Sequence, residues 1–214
     1  MLKLDLAGKA AAHADHWTNA EAALGRAIIL PDGTTQKAFV AQGNVVSTAQ
    51  STVISRTNDL EGAQRSRDAL LETLQRKAAL LTALVRGATP GSVFANMLPK
   101  LPTTSAAAIK WVKALEDLAG IWERLDAAPA GQYPALAHPP LLSDGTTQAA
   151  FVAELTALQG ALRGVQEATN DIKEARGALA EAGKTTRAAL AAYRTLIRGL
   201  FRKTDPILTS LPPG

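Results

Sequence analysis

The chain has 214 residues, 47% of them apolar and only 4% aromatic, and a net charge of +4. That is enough apolar surface for a core, and an alanine-rich, aromatic-poor composition suits closely packed helices better than sheets. Cysteine is absent, which excludes disulfides, thiolate metal sites and cysteine nucleophiles.

Residues 1–9 read as a lead-in without the apolar core of a signal peptide, and no run approaches the roughly 20 apolar residues of a membrane span. A soluble, cytoplasmic protein is the expectation. From Ala10 to Gly25 an alanine-rich stretch carrying Trp17 and Leu24 predicts a short helix stopped by Gly25. Ile28-Ile29-Leu30-Pro31 is too short for a strand and reads as a connector whose apolar residues cover the end of a bundle. Asp32-Gly33-Thr34-Thr35 is helix-start chemistry, in which Asp32 or Thr34 can accept a hydrogen bond from a free N–H of the first turn.

Beyond that start there is no proline until Pro90, and large apolar residues step by seven: Phe39, Val46, Val53, Leu60, Leu74 and Leu81, with Arg67 interrupting. Two shapes fit this pattern. One is a single helix of about 53 residues, roughly 80 Å long at about 1.5 Å per residue. The other is a hairpin folded near Thr57-Asn58-Asp59, which would reset the phase at its turn. The phase continues through Leu60, so the single helix is favoured, against the pull of interior glycines such as Gly62.

Gly87 to Gly91 ends this element, and Leu98 to Pro102 reads as an extended connector. Thr103-Thr104-Ser105 can cap a middle helix over about 105–127, whose face of Val112, Leu115, Leu118, Trp122 and Leu125 is strongly apolar. Residues 128–143 hold four prolines and predict an extended linker. Sixteen such residues reach about 50 Å, far enough to let the long helices run parallel.

Then the start element recurs. Asp32 to Ala41 matches Asp144 to Ala153 at nine of ten positions, 112 residues later. At the same offset Thr57-Asn58-Asp59 returns as Thr169-Asn170-Asp171, and Val85-Arg86-Gly87 as Ile197-Arg198-Gly199. The second seven-residue row is Phe151, Leu158, Val165, Ile172, Leu179, Tyr193 and Leu200, interrupted at Thr186, and its companion row is almost all alanine. The reading is an all-α, elongated helical bundle from a tandem duplication, each unit a short helix plus a long heptad-patterned helix with coiled-coil-like packing. The first repeat spans 1–103 and the second 104–214, packed together as one bundle.

Several constellations carry chemistry. His13 and His16 stand three apart on one helix face with Asp15 near, a spacing that metal sites use. With no third ligand cluster in view, solvent-exposed histidines are expected, and neither a metal nor another cofactor. Asn58-Asp59 and Asn170-Asp171 suggest polar flanks that fix helix register. The Asp-Gly-Thr-Thr-Gln motifs lack the glycines and lysine of a phosphate loop, and the Gly160 to Gly164 pair lies in a helix too polar for lipid.

Charge is segregated along the chain. Residues 116–181 hold ten acids against four bases, and residues 182–214 six bases against one acid. Lys184, Arg187, Arg194, Arg198 and Arg202 fall broadly on one helix face and form the candidate phosphate-binding row. Parallel long helices would bring Arg76, Lys77 and Arg86 beside them; pairing with the acids of 116–181 would dissolve the patch. No catalytic arrangement is evident. The expected role is a non-enzymatic scaffold or protein-interaction module, self-associating as a homodimer or binding another protein. Nucleic-acid or anionic-surface binding through the basic ends is the alternative. A ligand-binding bundle would need a cavity, which an alanine seam argues against.

Overall fold

The computed structural model describes residues 6–213. They form an all-α bundle of six helices: α1 (Leu6–Leu24), α2 (Gln36–Ala88), α3 (Val93–Met97), α4 (Ala108–Asp126), α5 (Gln148–Leu200) and α6 (Pro206–Thr209). Among the described residues the only strand-like feature is an isolated bridge between Ile29 and Thr35, and no helix is long and apolar enough to cross a membrane.

Both long elements are single helices of 53 residues. They run through Gly62, Gly160, Gly164 and Gly177, where an added Cβ would meet nothing within 4 Å. A hairpin would need those glycines to break the chain. Each interior glycine costs only about 1 kcal/mol in propensity, which burial of the apolar residues along each helix offsets.

The two starts are built alike. Asp32 Oδ1 accepts from the Thr34 N–H at 2.9 Å and Asp144 Oδ1 from the Thr146 N–H at 3.0 Å. These bonds hold both carboxyls below the ordinary aspartate value. Gly33 and Gly145 take φ of 85° and 81°, a turn that favours glycine. The helix cap itself is Thr35, whose Oγ1 accepts from the Ala38 N–H at 3.3 Å, and its counterpart Thr147, which accepts from Ala150 at 3.2 Å. The capping residue is therefore Thr35, one place after Thr34 and three after Asp32, and the aspartate shapes the turn instead. Thr35→Ala and Thr147→Ala are each expected to cost about 1 kcal/mol in urea unfolding, while Lys37→Ala, on an exposed side chain of the same first turn, should cost much less.

The described residues divide into two compact units: unit 1 comprises those up to Asp59 together with those from Thr169, and unit 2 is Leu60–Ala168. Within unit 1 the start of α2 packs with the end of α5, through a core that joins Trp17, Phe39, Tyr193 and Ile197. Within unit 2 the end of α2 packs with the start of α5, joining Leu74, Leu81, Val85, Trp122, Phe151 and Leu158. In both units the long helices are thus antiparallel, and the parallel arrangement is corrected. The cause lies in 128–143, which is not extended. It folds through turns at Pro129–Gln132 and Tyr133–Leu136, and Leu136 and Leu142 pack onto unit 2's core. The chain consequently starts α5 in the unit where α4 ends.

The ends of the other elements also differ from expectation. α1 begins at Leu6, inside the expected lead-in, because Leu6 packs onto the core; residues 1–5 lie outside the described residues. α4 begins at Ala108 without a side-chain cap. Thr103 serves there through its carbonyl, which accepts from the Trp111 indole at 3.1 Å and the Ala106 N–H at 2.9 Å. Two short helices not expected from the sequence, α3 and α6, precede Leu98-Pro99 and Leu211-Pro212, capped by Ser92 on Ala95 and by Asp205 on Ile207. α6 packs on α1, and α3 on α4.

Candidate functional site

Placed on the 112-residue offset for the long helices, and on Trp17 and Trp122 for the short ones, the two units can be compared residue by residue. The shared frame is clear. Trp17 lies on Phe39 with ring centroids 5.5 Å apart, and Trp122 on Phe151 at 5.6 Å. Around that frame unit 2 is filled by hydrocarbon: Leu118, Ile121, Leu74 and Leu81 are all buried. At the corresponding places unit 1 has His13, His16, Thr186 and Tyr193, equally buried. Four apolar core positions in one unit are four polar ones in the other.

α1 comes close to its neighbours because two of its contacts are with glycine. A Cβ on Gly43 would lie 3.2 Å from Ala10, and one on Gly183 would lie 3.3 Å from Leu6 and 3.1 Å from the Arg187 guanidinium. The corresponding residues of unit 2 are Leu155 and Leu71.

The histidines are inside the bundle and not solvent-exposed, which corrects the expectation. His16 Nε2 lies 2.7 Å from the Ile207 carbonyl and Nδ1 lies 2.7 Å from the Tyr193 hydroxyl. A carbonyl can only accept, so Nε2 donates to Ile207, and Nδ1 is paired with the Tyr193 hydroxyl. Burial, helped by the Glu21 charge, holds the Tyr193 phenol far above its ordinary value, so it remains a donor. His13 donates Nδ1–H to the Lys9 carbonyl at 2.8 Å. Its Nε2 is buried and meets no hydrogen-bond partner, and neither does the buried Thr186 hydroxyl. Burial first, then the charges of Arg194, His16 and Lys9, lower the His13 pKa from 6.5. It is a neutral imidazole with a bare lone pair. Among the described residues no group of three or more His, Asp or Glu gathers as a metal site.

Beside His13 is an open cavity of about 550 Å³ within unit 1. Arg187, Arg194 and Arg198 of α5 line it together with Lys9, and Leu6, Leu190 and Ala191 supply apolar wall. Among the described residues no acidic one lines it. Arg194 Nη1 donates to the Pro212 carbonyl at 2.6 Å, which anchors the guanidinium and leaves most of its five donors for another acceptor. The ion pairs among the described residues are Arg56 with Asp59 and Asp171, Arg67 with Asp68, and Lys77 with Glu154. None takes up the three arginines of the cavity. The alanine seam therefore did not close this part of the bundle.

The five residues of the candidate row separate. Arg187, Arg194 and Arg198 are brought together at the cavity, whereas Lys184 and Arg202 are exposed and outside its lining. Arg76, Lys77 and Arg86 belong to unit 2, where Lys77 pairs with Glu154 at 2.5 Å. Arg56 spans from α2 to Asp171 of α5 at 3.3 Å, with both side chains about half exposed. Such a pair contributes about 0–1 kcal/mol and fixes the antiparallel register more than it stabilises. Lys9 was not singled out by motif spacing; His13 was marked only by its spacing from His16, and Tyr193 and Thr186 only as a member and an interruption of the seven-residue row. The signal that marks all four is position-by-position comparison of the two units, where polar residues stand in place of alanine and leucine.

At the cavity the contrast is sharpest. Leu6, Lys9, His13, Arg187 and Arg194 correspond to Trp111, Ala114, Leu118, Gln75 and Thr82, and only Arg198 has a cationic counterpart, Arg86. Comparison with protein-family models, with curated proteins and with solved structures gave no match to this chain.

Proposed function

We propose that the protein is a non-enzymatic helical module with divided labour, in which unit 2 is scaffold and unit 1 holds an anionic partner on Arg187, Arg194 and Arg198. The observation that carries this reading is the site of divergence between the repeats. Where unit 2 spends buried positions on hydrocarbon, unit 1 spends them on imidazole, phenol and hydroxyl groups beside three arginines that pair with no carboxylate among the described residues. Polar cores cost stability, so a polar core placed next to an open cationic cavity is better explained by recognition than by folding. The groups there suit binding: Tyr193 is held protonated, His13 is held neutral, and the arginines are permanent charges.

The test uses inorganic phosphate at constant ionic strength. Phosphate in the millimolar range should raise the unfolding midpoint and slow hydrogen exchange around residues 187–198, and Arg187→Ala with Arg194→Ala and Arg198→Ala should remove both effects. Equal responses of the wild type and the triple variant would refute the reading.

A further inference from the structure

The cationic cavity does not end at α5. A second open depression of about 580 Å³, also in unit 1, is lined by Pro31, Ala192, Leu196, Gly199 and Leu200. Ala191 and Thr195, one helical turn apart, line both depressions. One stretch of α5 therefore carries arginines on one flank and a small-residue apolar channel on the other, with Ala191 and Thr195 between them. An ionic head alone would use only the first. A nucleic acid would offer many charges and no apolar body for the second, and aromatic stacking surfaces are absent from both linings.

We propose that unit 1 binds a single-chain amphiphilic carboxylate, with its carboxylate on Arg187, Arg194 and Arg198 and its alkyl chain crossing Ala191 and Thr195 into the channel beside Gly199. This rests on the anion-binding reading above and names the ligand class for it. Guanidinium groups match a carboxylate in geometry and can hold it through two parallel N–H donors. Leu6 and Leu190 flank the head, so the first methylenes are already out of water. The size suits the class, since small-ligand sites commonly measure about 300–1,000 Å³. Gly199 lines the channel, and an added Cβ there would meet nothing within 4 Å, so a larger side chain has room to enter it. A leucine at that place would fill the channel and improve helix propensity at once.

The experiment is calorimetric titration of the full chain with monomeric decanoate, acetate, 1-decanol and inorganic phosphate. Decanoate should bind one per chain and roughly 30-fold or more tighter than acetate, the factor expected when part of the alkyl chain leaves water. Arg187→Ala with Arg194→Ala should weaken decanoate about tenfold or more while hardly changing decanol, as loss of charge-assisted bonds requires. Gly199→Leu should weaken decanoate without lowering the unfolding midpoint and leave phosphate binding intact. If phosphate binds but decanoate is no tighter than acetate, the amphiphile is wrong and anion binding stands. If neither binds, the anion reading falls with it. Binding to phosphatidylglycerol vesicles without binding of monomeric decanoate would overturn the proposal in favour of a membrane surface.

Discussion

Trp17→Ala is expected to cost about 3–5 kcal/mol and to act on unit 1 alone. Trp17 is fully buried and stacks on Tyr193, with centroids 4.5 Å apart and planes 16° from parallel, while its other neighbour is Phe39. Its indole N–H donates to Glu21 Oε1 at 3.0 Å, and the same oxygen accepts from the Ile28 N–H at 2.9 Å. Truncation therefore removes an aromatic stack, opens a large void and disturbs the carboxylate that fastens the connector to α1. Domains of this size are stable by about 5–15 kcal/mol, so the loss is a large share. Each unit has its own core, which makes the effect local. Hydrogen exchange should accelerate in residues 6–59 and 169–213, while amides of 60–168 keep most of their protection. Uniform acceleration along the chain would show that the two cores do not unfold separately.

The all-α class and the two long helices were legible because they rest on strong periodicity and on a repeated start motif. Phe39, Val46, Leu74 and Leu81 are buried, and so are Phe151, Leu158, Ile172 and Tyr193, whereas Val53, Leu60, Val165, Leu179 and Leu200 of the same rows are only partly buried. Helix direction was not legible. It depended on residues 128–143, where four prolines suggested extension but Gly131, at φ 87°, and consecutive turns produced a compact return. Local composition does not decide whether a proline-rich segment stretches or folds; here the anchoring of Leu136 and Leu142 on the core decided it. The basic row on α5 was visible as spacing, yet its meaning came from α1. Lys9 and His13 reach it only because Gly43 and Gly183 admit that helix closely, and no pattern within one segment reports such an approach. The two matching stretches of sequence mark the helix starts through their identical residues, whereas the proposed function resides in residues that differ between the units.

His13→Leu combined with Thr186→Val is expected to stabilise the protein, by about 1–3 kcal/mol for each buried polar atom relieved of its missing partner. Both substitutions move unit 1 toward unit 2, whose corresponding residues are Leu118 and Leu74. Leucine matches histidine roughly in volume and is the better helix former, and valine keeps the shape of threonine without its hydroxyl. The gain should depend on pH, and its sign follows from His13. In the folded chain its pKa lies below 6.5, so as the pH falls through 6.5 the unfolded chain takes up a proton that the folded chain refuses. Stability of the wild type is then lost progressively, until the pH drops beneath the folded value and the loss is complete. The double variant has no such group at residue 13, so its advantage should widen on acidification below 6.5 and be smallest above it. Urea unfolding of both proteins across pH 5 to 8 reads this directly. A difference independent of pH would mean that His13 titrates alike in the folded and unfolded chains, and one that narrows on acidification would mean that the folded chain holds it charged. If instead the variant proves less stable at every pH, the Nε2 lone pair and the Thr186 hydroxyl must already have partners, and the polar core of unit 1 would be an internally satisfied network with nothing held in reserve for a ligand.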